Sequence, residues 1–214
     1  MKSQEQLIDA LAADLKATAP PPELNRLALA WLVCSLTYVT FTTAMLGAFR
    51  PGFAEQLLAH PRFAFDMLLV LVAIVATGVL LFRSAVPGAV PQSLRWLSLG
   101  AVSAWLAMQL FGLISPALEP SMLGKRPHCM FETVLIALPP LAVAGVLQRR
   151  LCPLSPARGA MAAGLCAGLM PAWMMQIACM YDQQHILSFH VLPGLAVAVV
   201  GVVFGWLLSR LRDV

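Results

Sequence analysis

Six stretches of this chain contain no Asp, Glu, Lys or Arg: 27–49, 67–82, 96–118, 133–148, 159–181 and 183–209. Uncharged runs of that length suit a bilayer, because a helix rises about 1.5 Å per residue and the hydrocarbon core is about 30 Å thick. Four windows hold 23 to 27 residues, which is enough. The other two hold 16 and fall short unless the residues before them join the helix, which draws Asp66 and Glu132 into helix ends. Charged residues make up only 11% of the 214, against about 25% in an ordinary soluble domain, and mean hydropathy is +0.81. A soluble globule is excluded. The expectation is an all-α polytopic membrane protein with six transmembrane helices.

Lys and Arg concentrate in cytoplasmic connections, which sets the orientation. With the N-terminus inside, the inner set is Lys2, Lys16, Arg26, Arg83, Arg95, Arg149, Arg150, Arg158, Arg210 and Arg212, and the outer set is Arg50, Arg62, Lys125 and Arg126. Ten against four predicts both termini cytoplasmic. Residues 1–26 mix four acids with three bases and do not fit a cleaved signal, so the first apolar run is expected to be a retained span. The net charge of +4 then reflects topology and gives no reason to expect nucleic acid. In this orientation His60, His128, His185 and His190 all fall in or beside outer connections, with Cys129 and Cys179.

Two units follow: residues 1–26, a cytoplasmic helix with a Pro linker, and residues 27–214, the membrane part. Ser3-Gln4-Glu5-Gln6 has the form of a capping box, and Leu7, Ile8, Leu11, Ala12 and Leu15 recur at helical spacing before Pro20-Pro21-Pro22 stops the helix. Such a stripe can lie on the inner leaflet or enter a partner's groove. Three acids against two lysines in residues 1–19 give anionic lipid little to attract.

Within the spans, Gly201-x-x-x-Gly205 and the series Ala160, Gly164 and Gly168 allow close helix approach. Pro139-Pro140, Pro171 and Pro193 are expected to kink their helices or loosen the backbone. Cys34 and Cys166 read as packing residues.

The residues that could carry chemistry are His128-Cys129-x-x-Glu132 before span four and Cys179-x-x-Asp182-x-x-His185 with His190 between spans five and six. Thiolate and imidazole suit Cu(I), Zn and similar cations, and methionines 122, 130, 174, 175 and 180 could add thioether. Cys129 and Cys179 could instead form a disulfide, act as free sensing thiols, or have no role. Asp66 and Glu132 could be ligands or pair with Arg50, Arg62 or Arg126. With no Walker A loop, G-x-S-x-G elbow or dinucleotide fingerprint, an enzyme is not expected.

The stretch Leu7-Ile8-Asp9-Ala10-Leu11-Ala12-Ala13-Asp14-Leu15, Arg50-Pro51-Gly52 after span one, Val86-Pro87-Gly88 after span two, His128-Cys129 with Pro139-Pro140, and the Cys179 to His190 segment together resemble the NrsF family. These are six-span inner-membrane negative regulators of ECF sigma factors in proteobacteria. The resemblance covers nearly the whole chain. It implies that the cytoplasmic N-terminal part, with Leu7, Ile8, Leu11 and Leu15 in the binding helix, holds an ECF sigma factor at the membrane. It also implies that a periplasmic signal read through Cys129 and Cys179 releases it. Met180-Tyr181 departs from relatives, which often have proline after the cysteine. Taken with the ligand chemistry above, the candidate metal site is Cys129, Cys179, His128, His185 and His190, with Glu132 and Asp182 beside them, and the expected signal is copper, another soft metal ion or thiol oxidation. Membrane lipid and a homo-oligomer complete the expected partners. The competing class is a small metal carrier or transporter, or a thiol-redox membrane protein. The spans support it poorly, with little beyond Cys34, Cys166, Met108, Gln109 and Gln176 and no C-x-x-C.

Overall fold

The computed structural model describes residues 4–13, 23–151, 153 and 155–210. Ser3, Leu15, the triple proline and Cys152 lie outside the described residues. The described chain is helical: α1 (Gln4–Ala13), α2 (Leu24–Leu46), α3 (Phe53–Ala59), α4 (Pro61–Arg83), α5 (Gln92–Phe111), α6 (Cys129–Arg150), α7 (Pro156–Ala178), α8 (Gln183–Ile186) and α9 (Leu192–Arg210), with a π-helical turn Leu187–Val191 joining α8 to α9. Among the described residues the only β pairing is an isolated bridge between Ser121 and Tyr181.

Five helices are long and apolar enough to cross a membrane: α2, α4, α6, α7 and the continuous run Gln183–Leu207. The two short windows lengthen as expected, since α4 starts at Pro61 and takes in Asp66, and α6 starts at Cys129 and takes in Glu132. The third window behaves differently. Its helix, α5, begins earlier and ends at Phe111, so residues 112–118 leave the helix, and α5 itself carries Arg95, Gln109 and three serines. It is not among the five. Its C-terminal end is held from outside, where the Gln183 amide donates to the Gln109 carbonyl (2.8 Å) and side chain (2.9 Å).

Helix α7 is the most buried of the five and forms the centre, packing against α4, α6 and α9. Its contact with α9 is glycine against glycine. A Cβ on Gly164 would stand 2.6 Å from the Val197 carbonyl oxygen, one on Gly194 2.7 Å from that of Gly168, and one on Gly201 2.5 Å from that of Ala160. The two small-residue series of the sequence are therefore the two sides of one interface. Of the prolines, Pro193 stands beside an irregular backbone, while α6 and α7 run on through Pro139, Pro140 and Pro171. Pro193 has no N–H for the Phe189 carbonyl and its ring crowds that turn, and the backbone just before it opens into the π turn, with the Leu192 N–H bonded to the Leu187 carbonyl five residues back. Trp31 on α2 donates to the Pro140 carbonyl (3.2 Å) in the double-proline stretch of α6. Cys166 is fully buried and its thiol reaches the Ile74 carbonyl (3.2 Å), while Cys34 is exposed.

Gly201→Leu is expected to prevent the native α7–α9 contact, because a side chain there meets backbone that cannot yield. A Cβ on Gly145 meets nothing within 4 Å, so Gly145→Ala is expected to stabilise by about 0.5–1 kcal/mol through helix propensity alone. Unfolding midpoints of the two variants in one detergent check the contrast.

Candidate functional site

The C-terminal end of α7 and the N-terminal ends of α6 and α8 meet at one end of the bundle and bring cysteine and histidine together there. The Cys129 and Cys179 sulfurs are 2.9 Å apart, and the Cys179 sulfur is 3.5 Å from His185 Nε2. With His190 they form a group whose ligand atoms all lie within 4.8 Å of one another. Cys129, Cys179 and His190 are buried and His185 is half-buried.

Local sequence explains each placement. Cys129 opens α6 and Cys179 directly follows the last residue of α7. Asp182 caps α8, its carboxylate accepting from the His185 N–H at 2.7 Å, as N-cap aspartates do. His190 sits in the π turn. On a regular helix two residues five apart diverge by about 140°, whereas a turn bonded i to i+5 brings them into register. The rings of His185 and His190 accordingly meet edge to face at 5.0 Å, and His185 stacks on Phe189 at 4.8 Å.

The sequence ligand set is thus divided. Cys129, Cys179, His185 and His190 converge. His128 is exposed at the N-cap of α6 and outside the group. Asp182 positions His185, and Glu132 makes a 2.8 Å ion pair with Arg126. Met180 is buried against the two cysteines, Met174 and Met175 belong to the core, and Met122 and Met130 are exposed. Asp66 is buried on α4 with Oδ1 lacking a hydrogen bond, and Arg62 acts on it electrostatically.

The sequence offered Arg50 and Arg126 as outer charges and as ion-pair partners for Asp66 or Glu132, and Arg126 does pair with Glu132, yet both also build the scaffold. A helix ends with four carbonyls that its own amides cannot reach, and its C-terminus carries about half a negative charge. At the end of α7 the carbonyls of residues 176–179 are taken by two arginines. Arg50 Nη1 donates to Gln176 and Cys179 (both 2.9 Å), the Arg50 main-chain N–H to Ile177 (3.2 Å), and Arg126 Nε to Ala178 (3.4 Å). Arg126 Nη2 also gathers the end of α2, through the carbonyls of Thr43 (3.0 Å), Gly47 (2.6 Å) and Ala48 (3.2 Å). Arg50 is 1% exposed and lies over the rings of Phe63 and Tyr181. Burial pushes its guanidinium down from the ordinary value, and charges at Tyr181 and Cys179 oppose that. The available signal was the pattern Arg50-Pro51-Gly52, whose glycine takes φ 75°: an arginine fixed by a turn directly after a span can stay beside a helix end.

Tyr181 ties the 112–128 connection to the site. Its carbonyl accepts from Ser121 (2.8 Å) and its hydroxyl from the Ala117 N–H (3.0 Å). Burial raises its hydroxyl above the usual value.

Two sulfurs and two imidazoles gathered within 4.8 Å are donor types that suit a soft or borderline cation. His190 supports that fit, because it is fully buried and neither ring nitrogen has a hydrogen-bond partner. Such a group costs about 1–3 kcal/mol unless something binds it. The Cys179 sulfur is also prepared: a hydrogen bond from the Cys129 thiol holds it well below the ordinary thiol range although burial acts the other way.

One family's sequence model, described as NrsF, negative regulator of sigma F, matches residues 11–211. No curated protein and no solved structure matches the chain.

Because the Cys129 hydrogen bond lowers Cys179, Cys129→Ala is expected to move the Cys179 titration to higher pH. Thiolate ultraviolet absorbance followed across a pH series checks this, with Cys179→Ala as the blank.

Proposed function

This chain belongs to the NrsF family, negative regulators of sigma F, and from that membership we propose that it is a non-enzymatic, membrane-bound anti-sigma factor. The partner is an ECF sigma factor held at the inner membrane by residues 1–26, with Leu7, Ile8, Leu11 and Leu15 as the contact stripe. Residues 27–214 act as the sensor, with α5 as the third of six spans and both termini cytoplasmic. What supports a holding helix is that Gln4–Ala13 is helical with Ile8 exposed, together with the acidic balance that disfavours lipid. What supports the orientation is the ten-to-four distribution of Lys and Arg.

The group Cys129, Cys179, His185 and His190 is the signal site, and the observation that carries this reading is the buried, unpartnered His190 facing two adjacent sulfurs. Cu(I) is the favoured ligand class because thiolates select soft cations, and Zn is the other ion that thiolate with imidazole suits. Moving a two-state switch from 1:99 to 99:1 needs about 5.5 kcal/mol of differential binding, within reach of thiolate coordination and beyond a loosely held hard cation. The carrier alternative would need ligands continuing through the bilayer. Among the described residues, this group is the one assembly of Cys, His, Asp and Glu close enough to hold an ion.

Capture of the sigma factor by the full-length protein in membranes is the test. Leu11→Asp is expected to lose at least about tenfold in affinity, roughly 1.4 kcal/mol, without changing Cu(I) uptake. Cys179→Ser is expected to hold the sigma factor normally and fail to release it when Cu(I) is added. Unchanged capture by Leu11→Asp would remove the helix from the mechanism, and normal release by Cys179→Ser would remove the site.

A further inference from the structure

The sensor reading leaves open how occupancy of a site at one end of the bundle reaches the helix that leads to the N-terminal segment. Arg126 touches both. Its main-chain carbonyl is 3.2 Å from the Cys129 sulfur, and its Nε bonds the Ala178 carbonyl, next to Cys179. Its Nη2 holds the carbonyls of Thr43, Gly47 and Ala48 at the C-terminal end of α2. Helix α2 starts at Leu24, immediately after residues 1–23.

The two sulfurs are in direct contact at 2.9 Å, closer than the about 3.7 Å that two bonds of about 2.3 Å to a tetrahedral ion would set, so an ion taken up between them would spread them. Metal binds each sulfur as thiolate, and a proton leaves to water only from a sulfur that still carries S–H. Both sulfurs lie beside attachments of Arg126, and its five carbonyl and carboxylate bonds span 2.6–3.4 Å. Hydrogen bonds weaken steeply over such a displacement. The residue is also held against any other course: it is 7% exposed, Glu132 fixes Nη1 at 2.8 Å, and a Cβ on Gly47 would already stand 3.3 Å from its Cζ.

We propose that Arg126 is the coupling residue of this protein: separation of the Cys129 and Cys179 sulfurs withdraws its guanidinium from the Thr43, Gly47 and Ala48 carbonyls and frees the last turn of α2. The coupling rests on the sensor reading for its trigger and on the hydrogen bonds of Arg126 for its path. Lysine does not replace it, since an ammonium is a compact point charge and lacks the planar fork that spans two helix ends and a carboxylate. Arg50 differs in this respect. It caps the same end of α7 but makes no described bond to α2, so its role is to hold Cys179 in place.

Amide hydrogen exchange of the full-length protein in lipid nanodiscs tests this, read on peptides covering 43–48 with α7 peptides as the control for global folding. Adding Cu(I) to the wild type is expected to speed exchange at 43–48 by about tenfold or more while α7 stays protected. Cys129→Leu, which wedges the pair apart with no metal, is expected to do the same without Cu(I). Arg126→Lys is expected to exchange fast at 43–48 from the start and to gain nothing from Cu(I), with α7 still protected. If Arg126→Lys loses protection throughout α7, Gly47→Ala, which only crowds the guanidinium, takes its place. Failure of Cu(I) to bind would count against the cation as signal and leave Cys129→Leu to decide the coupling. Unchanged exchange at 43–48 in Cys129→Leu, or a normal Cu(I) response in the arginine variant, would overturn it.

Discussion

Carbonyl groups at helix ends must find donors, and in this protein that requirement is met by two buried arginines. Four consecutive carbonyls, 176–179, close the central helix at the point where Cys179 must stand. Outside a membrane, water would satisfy them. Under a cover of apolar helices each would cost about 1–3 kcal/mol, so the end of α7 could not be placed there without Arg50 and Arg126. The ion pair of Arg126 with Glu132 matters less as a source of net stability than as a way to keep a buried charge matched. The cysteine pair, the 112–128 connection and the end of α2 all take their positions from this arrangement.

Much of the fold was legible because bilayer physics writes itself into composition. The short windows could be completed only by including Asp66 and Glu132, and α4 and α6 do include them. The Ala160, Gly164, Gly168 and Gly201, Gly205 series are small for one reason, and they turn out to face each other. The third window gave a helix with shifted bounds, because lack of charge does not imply helix: α5 starts at Gln92, and residues 112–118 are uncharged yet lie beyond its end at Phe111.

The site was half legible. Ligand chemistry singled out Cys129, Cys179, His185 and His190, because soft donors on the same side of a membrane protein are few. It also drew in His128, Glu132 and Asp182, which are the right types at near positions but serve as a helix N-cap position, an ion-pair partner and a cap. Nothing in local spacing separates a ligand from a neighbour that orients it. The arginines were harder still, since each acts on carbonyls more than fifty residues away in sequence, and a backbone acceptor leaves no trace in side-chain pattern. The π turn was foreshadowed only by Pro193, whose missing N–H announces a disturbed backbone but not its direction.

That turn has a consequence for how the group is held. His190 leads into α9, and α9 is locked to α7 by glycines whose backbones touch. Cys179 directly follows the last residue of that same α7, and His185 precedes His190 on the run into α9. Three of the four side chains thus ride on one frame, and Cys129, at the first turn of α6, is the one that has to be brought to it.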